Sequence, residues 1–198
     1  MSAGGSRREW GWHRLADEWA ARIVAAAEIN PGDLVLDIGA GDGSLTSHLV
    51  RAGARVIAVE LHPGRCERLR TRFADAPVTV LRVDASQLLL PGKPFRVVAN
   101  PPYSISNGLL RLLLSRHSRL VAADVVLQTA VVRRWATGRA PGAGRWRREY
   151  DAQPGLKLPR SAFQPPPKVD SGVLVLRARR GGVAAAYHRR NGRPGRIP

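Results

Sequence analysis

Apolar positions recur along this chain in two rhythms. Leu15, Trp19, Ile23 and Ala27 stand four apart. That spacing places side chains on one face of a helix, and it predicts an amphipathic helix over Arg14 to Ala27. Shorter apolar runs then alternate with helical patterns. "LVLDIGA" (34–40), "RVIAVE" (55–60), "VTVLRVD" (78–84), "FRVVA" (95–99) and "ADVVLQ" (123–128) predict strands. "SLTSHLVRA" (44–52), "RCERLRTRF" (65–73), a segment near Asn107 to Leu114 and one near Thr129 to Trp135 predict the helices between them. "DAQPGLKLP" (151–159) and "SGVLVLRAR" (171–179) are two further strands, joined by a Pro-rich turn. This alternation predicts an α/β fold, a mostly parallel sheet with helices on both faces. Ligands of such sheets bind at the carboxyl ends of the strands.

The chain's distinctive motifs fall at those ends. "DIGAGDG" sets Asp37, Gly39, Gly41 and Gly43 where the first of these strands turns into a helix. Glycines permit positive φ and let a ligand approach the backbone closely. Seventeen residues beyond Gly43, Glu60 ends the next strand, where a carboxylate can accept from both hydroxyls of a ribose. Asp84 ends the third and can accept from the exocyclic amine of an adenine. The spacing fits a dinucleotide or S-adenosylmethionine. The turn reads Gly-Ala-Gly-Asp-Gly and not Gly-x-Gly-x-x-Gly, which weakens the dinucleotide reading.

"VVANPPYSIS" (97–106) raises a different chemistry. A buried strand stops at Asn100, and Pro101, Pro102 and Tyr103 follow at once. Prolines stiffen the exit and donate nothing to a ladder. The side-chain oxygen of Asn100 and the carbonyl of Pro101 would then be two fixed acceptors. Aimed at the two hydrogens of an exocyclic amine, they would turn its lone pair toward an electrophile, while Tyr103 stacks on the base. Orientation would supply much of the rate. The base must be flipped out or single-stranded to enter.

Charge narrows the partner. The chain has 198 residues, enough for one domain with an appendage, and 44% of them are apolar. Its formal net charge is +17, from 32 basic and 15 acidic residues, and only Lys93, Lys157 and Lys168 of the basic set are lysines. Such an excess points to a polyanion, most often nucleic acid. The excess is concentrated in three places. Arg7 and Arg8 lie near the start. Residues 133–148 hold six arginines, among them Arg133, Arg134, Arg145, Arg147 and Arg148, and no acid before Glu149. The tail from Arg177, with Arg179, Arg180, Arg189 and Arg190, also lacks acids. The single cysteine, Cys66, excludes a disulfide framework and a thiolate zinc site, and no metal ligand set is expected. The N-terminus lacks the apolar core of a signal peptide, and no run reaches the roughly 18 apolar residues of a membrane span. A cytoplasmic monomer without a membrane partner is the expectation.

"DIGAGDG", Val59-Glu60, "VDA" (83–85), "NPPYSIS" and "FQPPPKVDSGVL" (163–174) together resemble the rRNA adenine N6-methyltransferases. That family includes the Erm macrolide-resistance enzymes and the KsgA-type small-subunit dimethylases. The first four motifs also suit DNA amino-methyltransferases or protein glutamine methyltransferases; the fifth is much more specific. The resemblance implies a Rossmann-like seven-stranded sheet with S-adenosylmethionine as donor. It implies donor contacts from His13, Leu15, Asp37, Gly39, Gly41, Glu60, Leu61, Asp84, Ala85 and Asn100. It gives Asn100 the target amine, and Tyr103 and Phe163 the target base between them.

The chain departs from the family pattern in two places. "WGWHRL" (10–15) stands where the family carries Phe-Gly-Gln-Asn-Phe-Leu, so His13 replaces an Asn that normally faces the donor's methionine end. The chain also ends soon after its last strand, without the family's helical domain. In this it is similar to short actinobacterial Erm-type enzymes. The expected organisation is a basic arm (1–13), a catalytic domain (14–178) and a basic tail (179–198), with the arginines gripping RNA. Pro101, where KsgA-type enzymes carry Leu, leans to the Erm side. The expected activity is therefore N6 methylation of an adenine in 23S rRNA, conferring macrolide, lincosamide and streptogramin B resistance. The alternatives are a KsgA-type small-subunit dimethylase and a non-catalytic ribosome-assembly factor.

Overall fold

The computed structural model describes residues 13–179 and Tyr187. The expectations placed on Arg7, Arg8, Arg180, Arg189 and Arg190 lie outside these residues, as do the rest of the basic arm and tail. The seven strands of the main sheet follow the predicted runs closely. They are β2 (Leu34–Ile38), β3 (Arg55–Glu60), β4 (Val78–Arg82), β5 (Phe95–Ala99), β6 (Leu120–Gln128), β7 (Tyr150–Leu158) and β9 (Ser171–Ala178). Their order across the sheet is β4-β3-β2-β5-β6-β9-β7. β9 runs antiparallel to both β6 and β7, while the pairs from β4 to β6 are parallel.

The period of two along the central strands sorts the core into two layers. Leu36, Val97 and Val125 face one layer, with Leu109, Leu110 and Leu113 of α4 (Ser106–Leu113) and Trp135 of α5 (Thr129–Ala136). Val35, Val98 and Val126 face the other, with Ile23 of α1 (Asp17–Ala26) and Leu45 and Leu49 of α2 (Ser44–Arg51). Full burial of each such side chain stabilises the fold by about 1.5–3 kcal/mol. α3 (Pro63–Arg72) closes a smaller cluster with Leu69 beside Phe73.

One boundary differs in a way that matters for the site. The first helix starts at Asp17, not at Arg14. Arg14 and Leu15 instead form a short strand, β1, antiparallel to β8 (Phe163–Gln164), with Leu15 opposite Phe163. Leu15 does share the helix's apolar face, because both pack into the same core layer. Its backbone is nevertheless extended, since pairing with β8 supplies hydrogen bonds that the helix end would lack.

Candidate active site

The glycine turn after β2 is built by hydrogen bonds from its neighbours. The amides of Gly39 and Ala40 both donate to the carbonyl of Val59, at 2.8 and 3.1 Å. Gly39, Gly41 and Gly43 all have positive φ. At Gly43 a side chain would also collide with Phe73, whose ring lies 2.7 Å from where a Cβ would stand. A Cβ on Gly39 would sit 3.2 Å from the Cα of Pro101. The donor turn and the Asn-Pro-Pro-Tyr exit therefore pack directly together.

Glu60 ties this turn to β3. One carboxylate oxygen accepts from the Gly41 amide at 2.9 Å, and the other from the amides of Leu61 and His62 at 2.8 and 2.9 Å. Two oxygens offer about four lone-pair directions; three backbone donors take three of them, and the Arg65 guanidinium lies 3.9 Å from the oxygen that accepts from Gly41. Asp84 follows β4 and caps a short 3-10 turn, accepting from the amide and the hydroxyl of Ser86 at 2.8 and 2.7 Å. Those bonds hold its carboxyl below the usual range.

Asp37 is the most unusual group in the cleft. It is 1% exposed. One oxygen accepts from the Thr46 hydroxyl at 2.6 Å; the other is buried without a hydrogen-bond partner. Burial pushes its carboxyl up to about 7; the Thr46 bonds oppose this, and the charge of Glu60 adds to it. An orphaned buried acceptor calls for a donor from outside the protein. Asp37 lines a small cleft with His13, Leu15, Gly39, Ser44 and Asn100.

The acceptor side is organised by the segment before α1. The side-chain amide of Asn100 donates to the backbone carbonyl of His13 at 2.9 Å. A carbonyl only accepts, so the nitrogen of the carboxamide must face His13 and its oxygen is turned away. The His13 ring stacks on Tyr103, with centroids 5.8 Å apart and planes at 29°, and its Nδ1 lies 2.8 Å from the carbonyl of Pro165. The hydroxyl of Tyr103 bonds Ser171 at 2.5 Å. Burial raises the Tyr103 phenol, and the Ser171 bond opposes this.

Two of the expected site residues are tied up within the fold. Phe163 is 3% exposed and packs in the core layer of Leu15 and Ile23. Its β1 partner is Leu15, and the ring that stacks on Tyr103 is that of His13. Arg177 is not spare for RNA. Its guanidinium makes a two-pronged pair with buried Asp124, at 2.8 and 3.0 Å, and also bonds the carbonyls of Ala123 and Leu176. Burial raises the Asp124 carboxyl and Arg177 counters it. Arg179 is half-exposed and paired with Asp151 at 2.6 Å.

Arg133, Arg134, Arg145, Arg147 and Arg148 are all exposed. They surround the turn between α5 and α6 (Ala143–Trp146), which is anchored by buried Trp135 and Trp146, with centroids 5.4 Å apart. Arg147 folds back onto the carbonyl of Thr137. Sequence reasoning missed the residues that hold the donor turn from behind. Arg72 bonds the Asp42 carbonyl at 2.5 Å and the Ser47 hydroxyl at 2.7 Å, and Thr46 serves Asp37. Thr46 was foreseeable, being the third residue of the helix that follows the glycine turn.

A sequence profile described as ribosomal RNA adenine dimethylase matches residues 6–189. The chain belongs to that family. It is 38% identical over 187 residues to the ribosomal RNA small subunit methyltransferase A of Thermosynechococcus vestitus, covering 88% of this chain and 71% of that protein. The enzyme of the same name from Leptothrix cholodnii is 36% identical over 183 residues, covering 86% and 66%. Among solved structures, the 23S rRNA methyltransferase ErmE superposes with a TM-score of 0.75 at 29% identity, covering 88% of this chain and 74% of that one. A dimethyladenosine transferase from Plasmodium falciparum gives 0.73 at 26%, covering 84% and 64%. The fold is that of the class I methyltransferases, and the cofactor is S-adenosylmethionine, which supplies an activated methyl group. The cleft fits it. Asp37, with its unpartnered buried oxygen, and Glu60 and Asp84, at successive strand ends, are the residues that would hold it. Among the described residues, no helix is long and apolar enough to cross a membrane.

Proposed function

We propose that this chain methylates the N6 amine of an adenine in ribosomal RNA. The observation that carries this is the locked carboxamide of Asn100. With its nitrogen committed to His13, its oxygen is held as an acceptor beside the donor cleft. The carbonyl of Pro101 supplies the second acceptor, and packing of Pro101 against Gly39 keeps both close to the methyl donor. Tyr103 stacks on the base. The base enters flipped or single-stranded. The exposed arginines around Trp135 and Trp146 grip phosphate.

The small-subunit reading is supported by the curated relatives, which are small-subunit methyltransferases at 38 and 36% identity. They favour it over the 23S target expected from sequence. The 23S reading, with its resistance phenotype, is kept by two observations. Pro101 gives the Erm-type Asn-Pro-Pro-Tyr exit, and ErmE superposes over 88% of the chain. Offering labelled donor with protein-free 16S and 23S rRNA, then mapping the modified adenine, decides between them. Label in 16S alone sinks the resistance reading; label in 23S alone sinks the small-subunit one.

A further inference from the structure

His13 meets the acceptor site at Asn100, Tyr103 and Pro165. The β1–β8 ladder places it opposite the start of the Pro-rich segment, and the Ala16 amide reinforces that ladder by donating to Ala162 at 2.8 Å. From there three contacts diverge. The backbone carbonyl takes the Asn100 amide, Nδ1 meets the Pro165 carbonyl, and the ring covers a face of Tyr103. The Pro165 carbonyl can only accept, so Nδ1 carries the proton. Tyr103 is held at its far end by Ser171, at the start of β9. Its hydroxyl is thus fixed to the sheet, and its ring face is fixed by His13.

We propose that His13 is a positioning residue for the target base. It sets the Asn100 acceptor through its backbone and the plane of Tyr103 through its imidazole, so that amine and ring are oriented together. The Asn that the family pattern places here has no ring to do this. The two roles are separable by substitution, because the carbonyl survives any side-chain change. His13→Ala removes the stack and the Pro165 bond. His13→Phe restores only the stack, and His13→Asn restores only a donor for Pro165.

This inference rests on the proposed rRNA methylation, and the experiment separates the two. Single-turnover methylation is measured on whichever rRNA the wild-type chain modifies, with donor affinity measured by calorimetry on the same proteins. His13→Ala is expected to slow the methyl-transfer step by about tenfold, in line with the sensitivity of catalysis to small misplacements, while donor Kd stays within about twofold. His13→Phe is expected to recover most of that rate, and His13→Asn little of it. Unchanged transfer in His13→Ala overturns the inference. So does a weakened donor Kd that accounts for the whole loss, since His13 would then serve the donor alone. Equal losses in all three variants, matched by equal falls in Tm, also overturn it. No methylation of either rRNA by the wild-type chain sinks the proposed function, and this inference falls with it.

Discussion

Donor binding should depend on pH through Asp37. Its carboxyl is buried, lifted to about 7 by that burial, and has one oxygen without a partner. A cationic methionine end placed against that oxygen favours the ionised form and pulls the carboxyl back toward its ordinary range. With a free-protein value near 7, roughly one Asp37 in eleven is ionised at pH 6 and about three-quarters at pH 7.5. If only the ionised form binds well, donor affinity rises about eightfold across that interval. Binding at pH 6.5 then releases about three-quarters of a proton. Calorimetry in two buffers of different ionisation enthalpy measures both quantities. Asp37→Asn should bind more weakly, with no proton release and a flat profile. A wild-type affinity that does not change between pH 6 and 7.5 would rule out this role for Asp37, as would a slope that survives in Asp37→Asn. Stability carries the opposite sign. The raised carboxyl makes the folded state bind more protons than the unfolded one, so stability falls as pH rises from about 4 to 7.

Four other outcomes follow from the structure. Asn100→Ala should abolish detectable methyl transfer and leave donor Kd within about threefold; loss of both together would mean that Asn100 serves the cleft and not the amine. Changing Arg133, Arg134, Arg145 and Arg148 together to Gln should weaken RNA binding and flatten its salt dependence, by about 0.7–0.9 in log–log slope per lost phosphate contact. Arg177→Gln should leave that slope unchanged but lower stability by about 2–3 kcal/mol, somewhat less than the cost of breaking a fully buried pair because Arg177 is partly exposed. Gly43→Ala should destabilise the chain by about 1–3 kcal/mol, measured by denaturant unfolding, through a strained positive φ and a clash with Phe73.

The strands and the donor turn were legible because their signals are local. Apolar runs, period-two alternation and glycines at strand ends all act over a few residues, and they placed Asp37, Gly39, Glu60 and Asp84 at the carboxyl edge. The acceptor side was only half legible. Asn100 and Tyr103 announce themselves through the two prolines, but their partners come from 87 and 68 residues away. Leu15 fits a helical face by spacing, and only the distant β8 turns its backbone into strand. The burial of Phe163 in the core layer of Leu15 follows from that same pairing and is not legible in its own segment. Arg177 reads as one more tail arginine until β9, pairing with β6, brings it within reach of Asp124, whose "ADVVLQ" setting gives no hint of a partner 53 residues on. In each case a long-range pairing decided the role of a residue whose local sequence pointed elsewhere.

The proposed chemistry of this site is methylation of adenine N6 in ribosomal RNA. It is tested most directly by incubating the chain with methyl-labelled S-adenosylmethionine and protein-free 16S and 23S rRNA, then digesting to nucleosides. Label is expected in N6-methylated adenosine from one of the two RNAs, and none with Asn100→Ala. Label in another nucleoside, or no label from a protein shown to bind the donor, would contradict it.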